Sequence, residues 1–215
     1  MELLSDMQAE LRDALNALGG KQSEGLLEHY CFYTTAHINR AVEGYIFLRK
    51  SGRIEASQNL IRTAIEAILR LQATRKKPEV LFRIAFTEFE EDKKWLRSLH
   101  GPDVASAIQA VDTQWADFKQ AYRTKYPEHP LVEKELSLRG ASEFAGVEGY
   151  YDSHYRLYCR FTHAAFRATT GNLKDFYRED NRTMTLCAFG AVEALVSIGA
   201  TAPNFAALKE RLSRK

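Results

Sequence analysis

Residues 53–75 read RIEASQNLIRTAIEAILRLQATR. In this stretch Ile54, Ile61, Ala64, Ile65, Ile68 and Leu71 recur at intervals of three, four and seven. That spacing gathers them on one side of an α-helix, whereas a strand would need alternation with a period of two. The helical period continues outward in both directions. Upstream, a helix is expected over about 23–50, with the row Leu27, Tyr30, Cys31, Thr34, Ile38, Ala41, Tyr45 and Leu48, ended by Ser51-Gly52. Before it, residues 2–18 form a first helix closed by Gly19-Gly20, since glycine readily takes the backbone conformation that terminates a helix. Downstream, helices are expected over about 78–99 and from Gly101-Pro102 to Lys125, with proline in the first turn where its missing N–H costs nothing.

The pattern weakens from Tyr126 to Ser142, where Pro127, Pro130 and Gly140 bracket the charged segment LVEKELSLRG. This segment reads as a loop with one short helix and as the most mobile part of the chain. A helix follows over about 144–170, then an apolar helix over about 179–199 and a short one after Pro203. Long helices with short connections become antiparallel neighbours. The expected fold is all-α: an up-and-down antiparallel bundle of four to six long helices with short terminal helices. It is expected to form a single domain over 1–215, with its core bundle over about 23–200 and a mobile loop over about 126–142.

Composition narrows the functional classes without choosing one. Of the 215 residues, 45% are hydrophobic and 27% charged, as in an ordinary globular protein that can bury a core. The net charge of +2 is too mild to argue for nucleic-acid binding, so any such case must rest on local clustering. Cys31, Cys159 and Cys187 are widely spaced, odd in number and set among apolar neighbours, which fits a reducing cytoplasm. The N-terminal MELLSDMQAELRDAL lacks a basic region and a long apolar run, so no signal peptide is expected. The most apolar stretch, Thr183 to Thr201, carries Glu193 and several small residues and reads as a buried helix rather than a membrane span. No membrane partner and no cofactor are expected. Helix bundles often hold metals through E-x-x-H pairs, but none occurs here, and no metal site is expected. Phosphate-loop, dinucleotide and serine-hydrolase motifs are likewise missing.

Chemistry concentrates in residues 144–170. On an ideal helix Asp152, Arg156, Arg160, His163 and Arg167 fall within about a third of a turn, with Tyr151, Tyr155, Tyr158, Phe161 and Ala165 opposite. No acidic residue lies between Ser153 and Lys174, so the polar side is an electropositive strip. Arginine beside histidine is what phosphodiester cleavage without a metal requires. A near-neutral imidazole can take a proton from a ribose 2′-hydroxyl, and a guanidinium can hold the phosphate and its developing charge. The same strip also reads as a plain solvated face, with Asp152 and Arg156 an i,i+4 ion pair. A second constellation is Arg62 with Glu66, on a polar stripe beside the apolar face of 53–75. It reads either as an ion pair bracing two helices or as a pair that orients His163. His37 sits on the row of Tyr30, Thr34, Ala41 and Tyr45 and reads as a core histidine, and His154 as a residue packed at a helix edge.

ASQNLIRTAIEAILRL and YDSHYRLYCRFTHAAFRA resemble segments of a family of uncharacterised bacterial all-helical proteins. That family carries R-x-x-x-E on one helix and a tyrosine-rich helix with a small residue and a histidine. Here these correspond to Arg62 and Glu66, then Tyr155, Tyr158, Cys159 and His163, over roughly residues 25–200. More widely, the chain resembles the HEPN superfamily, whose R-x(4–6)-H motif Arg156 and His163 match at the longest spacing. The sequence departs from that motif at Leu157, where a polar residue is usual. The resemblance implies a metal-independent ribonuclease or RNA-binding protein of bacterial defence or toxin–antitoxin type, with Arg156 binding phosphate and His163 acting as general base. It implies RNA contacts from Arg160 and Arg167, with Arg62, Glu66, Asp152 and Tyr158 in support. It also implies a homodimer through the 144–170 helix and an antitoxin or other defence-operon partner. The alternative is a non-catalytic helical interaction module of such a system.

Overall fold

The computed structural model describes residues 1–19, 25–162 and 177–214, the side chains of 160–162 and 177 excepted. The fold is an all-α helical bundle. Helices α1 (Glu2–Leu18), α2 (Leu26–Lys50), α3 (Ile54–Lys76), α4 (Val80–Ser98) and α5 (Val104–Lys125) follow the periods read from sequence within a few residues. The turn between α2 and α3 is three residues long. Gly52 takes a left-handed conformation there (φ +72°), and the Arg53 N–H reaches back to the Leu48 carbonyl at 2.9 Å. This closure ties up the last carbonyls of α2 and turns the chain straight back along itself.

Between α5 and the next long helix, the short helix α6 (Leu138–Ala145) starts within the segment read as a loop with one short helix. Ser137 caps it, its hydroxyl accepting from the Gly140 N–H at 3.0 Å. The segment before it is tied down: Leu136 is buried, its N–H donates to the Thr87 hydroxyl at 2.8 Å, and Arg83 donates to the Lys134 and Glu135 carbonyls.

The helix expected over 144–170 does not begin at residue 144. Helix α6 ends at Gly146, which is left-handed (φ +68°), and the Val147 N–H bonds the Ser142 carbonyl at 2.9 Å. A new helix, α7, then builds from Glu148–Tyr150, a π segment over Tyr151–Tyr155 and an α segment over Arg156–Thr162. In the π segment the Arg156 N–H bonds the Tyr151 carbonyl five residues back, so the described side chains after it, Arg156 to Cys159, are rotated from where a regular wheel puts them. The described part of α7 still keeps its two sides: Tyr155 and Tyr158 are buried, while Asp152 and Arg156 are exposed.

Helices α8 (Tyr177–Ser197) and α9 (Phe205–Ser213) complete the described chain. The main core gathers α1, α2, α3, α7 and α8 around Leu4, Met7, Ile38, Ile65, Tyr158 and Leu195. Helix α8 enters this core on small side chains. Ala188, Ala191 and Ala194 are fully buried, and a Cβ on Gly190 would stand 2.9 Å from the Ile68 Cδ1. This is the stretch read as a buried helix, and no described helix is long and apolar enough to cross a membrane. Helix α9 is pinned to α1 by the buried Glu10, whose carboxylate accepts from the backbone and side-chain nitrogens of Asn204 at 2.9 and 3.0 Å. Helices α4 and α5 form a hairpin with its own core of Phe82, Trp115 and Tyr122.

Candidate functional site

Helix α7 is held to its neighbours by three polar clamps. The first joins it to α3. Arg62 and Glu66 lie one turn apart and pair at 2.8 Å, and the Tyr155 hydroxyl donates to the same Glu66 oxygen at 2.9 Å. The Arg62 guanidinium also lies over the Tyr155 ring, 5.8 Å from its centre. Burial disfavours the Arg62 cation, but Glu66 outweighs it and raises its pKa. Burial chiefly, then hydrogen bonds with Cys159 and Glu66, raises the pKa of Tyr155, so its hydroxyl stays protonated and remains a donor. Arg62 and Glu66 thus act together on α7, as the bracing reading expected, and their partner is Tyr155.

The second clamp is buried. Tyr158 donates to one Asp180 oxygen at 2.7 Å, and Arg49 from the end of α2 pairs with the other. The Arg49 guanidinium stacks over the Tyr45 ring at 5.2 Å, and the Tyr45 hydroxyl donates to Asn181 at 2.9 Å. Three helices therefore meet on one carboxylate. Burial pushes the Tyr158 hydroxyl up to about 12, which keeps it a donor at neutral pH. Sequence reasoning named Tyr158 but missed Arg49 and Asp180. A signal existed: Asp180 extends the buried row Met184, Cys187 and Ala191, and Arg49 extends Ile38, Val42 and Tyr45. A charge on an apolar row needs a partner of opposite sign.

The third clamp is His154, read as a residue at a helix edge. It stacks on Tyr150 with ring centres 4.4 Å apart, and its Nε2 meets the Glu179 carboxylate of α8 at 2.7 Å. Its Nδ1 lies 2.7 Å from the Ser153 hydroxyl, which donates to the Gly149 carbonyl.

Against this braced side stands the polar one. The Arg156 side chain is 70% exposed and meets Asp152, itself half-exposed, at 3.8 Å. This is a loose surface contact worth about 0.5 kcal/mol or less. His163 and Arg167 lie outside the described residues, and so does the side chain of Arg160. His37, read as a core histidine, is exposed and lines a cleft between α2 and α3 together with Glu66. It sits there because the inward row passes through Ile38, leaving the preceding residue at the helix rim.

A Tyr155→Phe variant tests the first clamp. It removes one hydrogen bond to a carboxylate that keeps Arg62, so about 1 kcal/mol of stability should be lost. Chemical denaturation measures this, and an unchanged midpoint would show that Glu66 does not hold α7.

These features define an all-α bundle in which one aromatic helix is clamped along its inner side and offers an arginine on its outer side. The chain belongs to DUF5677, a family of unknown function, whose model matches residues 28–182. That span runs from α2 into the second turn of α8 and includes all three clamps. No curated protein and no solved structure gives a significant match.

Proposed function

We propose that this chain is an HEPN-like, metal-independent ribonuclease acting in the bacterial cytoplasm, in a defence or toxin–antitoxin setting. The observation that carries the reading is the state of Arg156. Its guanidinium is open to solvent and only loosely engaged by Asp152, on a helix whose other side is locked in place. Such a group can exchange its carboxylate for a phosphate at little cost and bind it bidentately.

In this mechanism His163 takes the proton of a ribose 2′-hydroxyl, and the resulting oxygen attacks the adjacent phosphorus. The P–O5′ bond breaks, and the leaving oxygen takes up a proton. The products are a 2′,3′-cyclic phosphate and a 5′-hydroxyl. Arg156 stabilises the charge that builds on the phosphoryl oxygens, and Arg160 and Arg167 track the RNA backbone. Arg62, Glu66 and Tyr158 act one step removed, by fixing the helix that carries Arg156. Two copies paired through α7 would place two such strips around one groove, which suits a polar face turned away from its own core.

The test is incubation of the chain with single-stranded RNA in excess EDTA. Cleavage to cyclic-phosphate and 5′-hydroxyl ends is expected, and RNA left intact would overturn the catalytic reading. The second reading, a non-catalytic interaction module, draws on Phe47 and Trp95, large aromatic residues that are 67% and 62% exposed. It predicts intact RNA in the same assay.

A further inference from the structure

A cleft runs along α2, between it and α3 on one side and α4 on the other. It consists of two hollows that share Tyr30, Tyr33 and Glu88 as common walls. The first, of about 400 Å³, is apolar, with Leu81, Ile84 and Phe89 of α4 and Phe118 of α5 on its sides. The second, of about 370 Å³, is polar and reaches Thr34, His37, Glu66 and Arg70. Together they make an amphipathic slot with aromatic rings at its waist and an acid, Glu88, between the two halves.

Glu88 has the character of a counter-ion in want of a closer cation. Its side chain is 53% accessible, and its contact with Arg70 is long, at 3.4 Å. Loss of surrounding water raises its pKa, Arg70 lowers it in part, and Glu91 and Asp92 raise it again. The concavity itself is shown by the two hollows that Glu88 lines, and Glu91 and Asp92 lie close enough to add like charge beside it. Tyr30 beside it has a raised pKa, through burial first and Glu88 second, so it presents a neutral hydroxyl and a ring face. The other acid in the slot, Glu66, is already matched by Arg62.

We infer that this slot binds a small organic cation, an ammonium group carried on an apolar or aromatic body. The ammonium would sit against Glu88 between the rings of Tyr30 and Tyr33, which attract a cation through their faces. The body would fill the apolar hollow against Ile84, Phe89 and Phe118. Cavities of this size enclose small ligands, with a few polar groups fixing the orientation. An anion is disfavoured, because Arg70 is the single arginine lining the slot and Glu88 beside it repels a like charge. A metal ion is disfavoured too, since no described residues group three potential ligands. The inference does not rest on the ribonuclease reading. The two regions share only Glu66, which lines the polar hollow and holds Tyr155.

The experiment is calorimetric titration of the full chain with 2-phenylethylammonium and tryptammonium. The controls are 2-phenylethanol, a neutral analogue, and 3-phenylpropionate, an anionic one. Saturable binding of both amines is expected, at least tenfold tighter than the alcohol, with no binding of the carboxylate. Glu88→Gln should weaken the amines at least tenfold and leave the alcohol unchanged. Ala85→Trp, which fills the apolar hollow from its rim, should abolish binding while the circular dichroism spectrum stays native. No saturation by either amine would overturn the proposal. So would equal binding of amine and carboxylate, or a Glu88→Gln variant that binds amines as wild type does.

Discussion

An Asp180→Ala variant should lose about 3–5 kcal/mol of stability, the usual cost of removing one partner of a buried ion pair. Asp180 is fully buried and the Arg49 side chain is 2% exposed. Alanine would remove the carboxylate that pairs with the buried guanidinium and accepts from the Tyr158 hydroxyl. The Tyr45–Asn181 hydrogen bond next to it would no longer border a fixed ion pair. The loss should appear as a lower denaturant midpoint. The paired change Arg49→Met with Asp180→Leu should recover much of it, because a buried pair replaced whole by apolar groups of like volume is often near neutral. A loss below about 1 kcal/mol in the single variant would show that water replaces the carboxylate and that the pair is not the keystone of α2, α7 and α8.

Some of this architecture was legible in the sequence. The rows through Ile61, Ile65 and Ile68, and through Ile38, Ala41 and Tyr45, are periodic enough to fix helices and their inward sides, and those residues are buried. The aromatic side of α7 was read correctly at Tyr155 and Tyr158 for the same reason. The break at Gly146 and the π segment after it were not. A wheel assumes one rotation per residue, and the extra residue in a π turn is fixed by what the helix packs against rather than by local preference. Arg62 and Glu66 could be paired from sequence because they are one turn apart on one helix. Arg49 and Asp180 are 131 residues apart, and only their places on two apolar rows hinted that each needed a charge. The slot at Glu88 was invisible for a further reason: its walls come from four helices whose relative placement no single period encodes.

Arg156→Ala should reduce RNA cleavage by about 10²–10³-fold, the usual loss when one donor to a developing oxyanion is removed. His163→Ala should reduce it by about 10²–10⁴-fold, as expected for a positioned general base. The Arg156 result separates chemistry from folding. Its side chain is 70% exposed and makes a loose contact with Asp152, so alanine there should change stability by no more than about 0.5 kcal/mol. A collapse in rate with an unchanged denaturation midpoint would therefore report on phosphate, not on the bundle. Arg156→Lys should recover only part of the rate, since an ammonium keeps the charge but cannot grip two phosphoryl oxygens in one plane. Arg160→Ala and Arg167→Ala should act on binding instead, each lowering the slope of log affinity against log salt by about one and leaving the rate at saturating RNA nearly intact. If Arg156→Ala and His163→Ala both cut RNA at the wild-type rate, the nuclease lies elsewhere or is a contaminant. That result would favour the non-catalytic interaction reading.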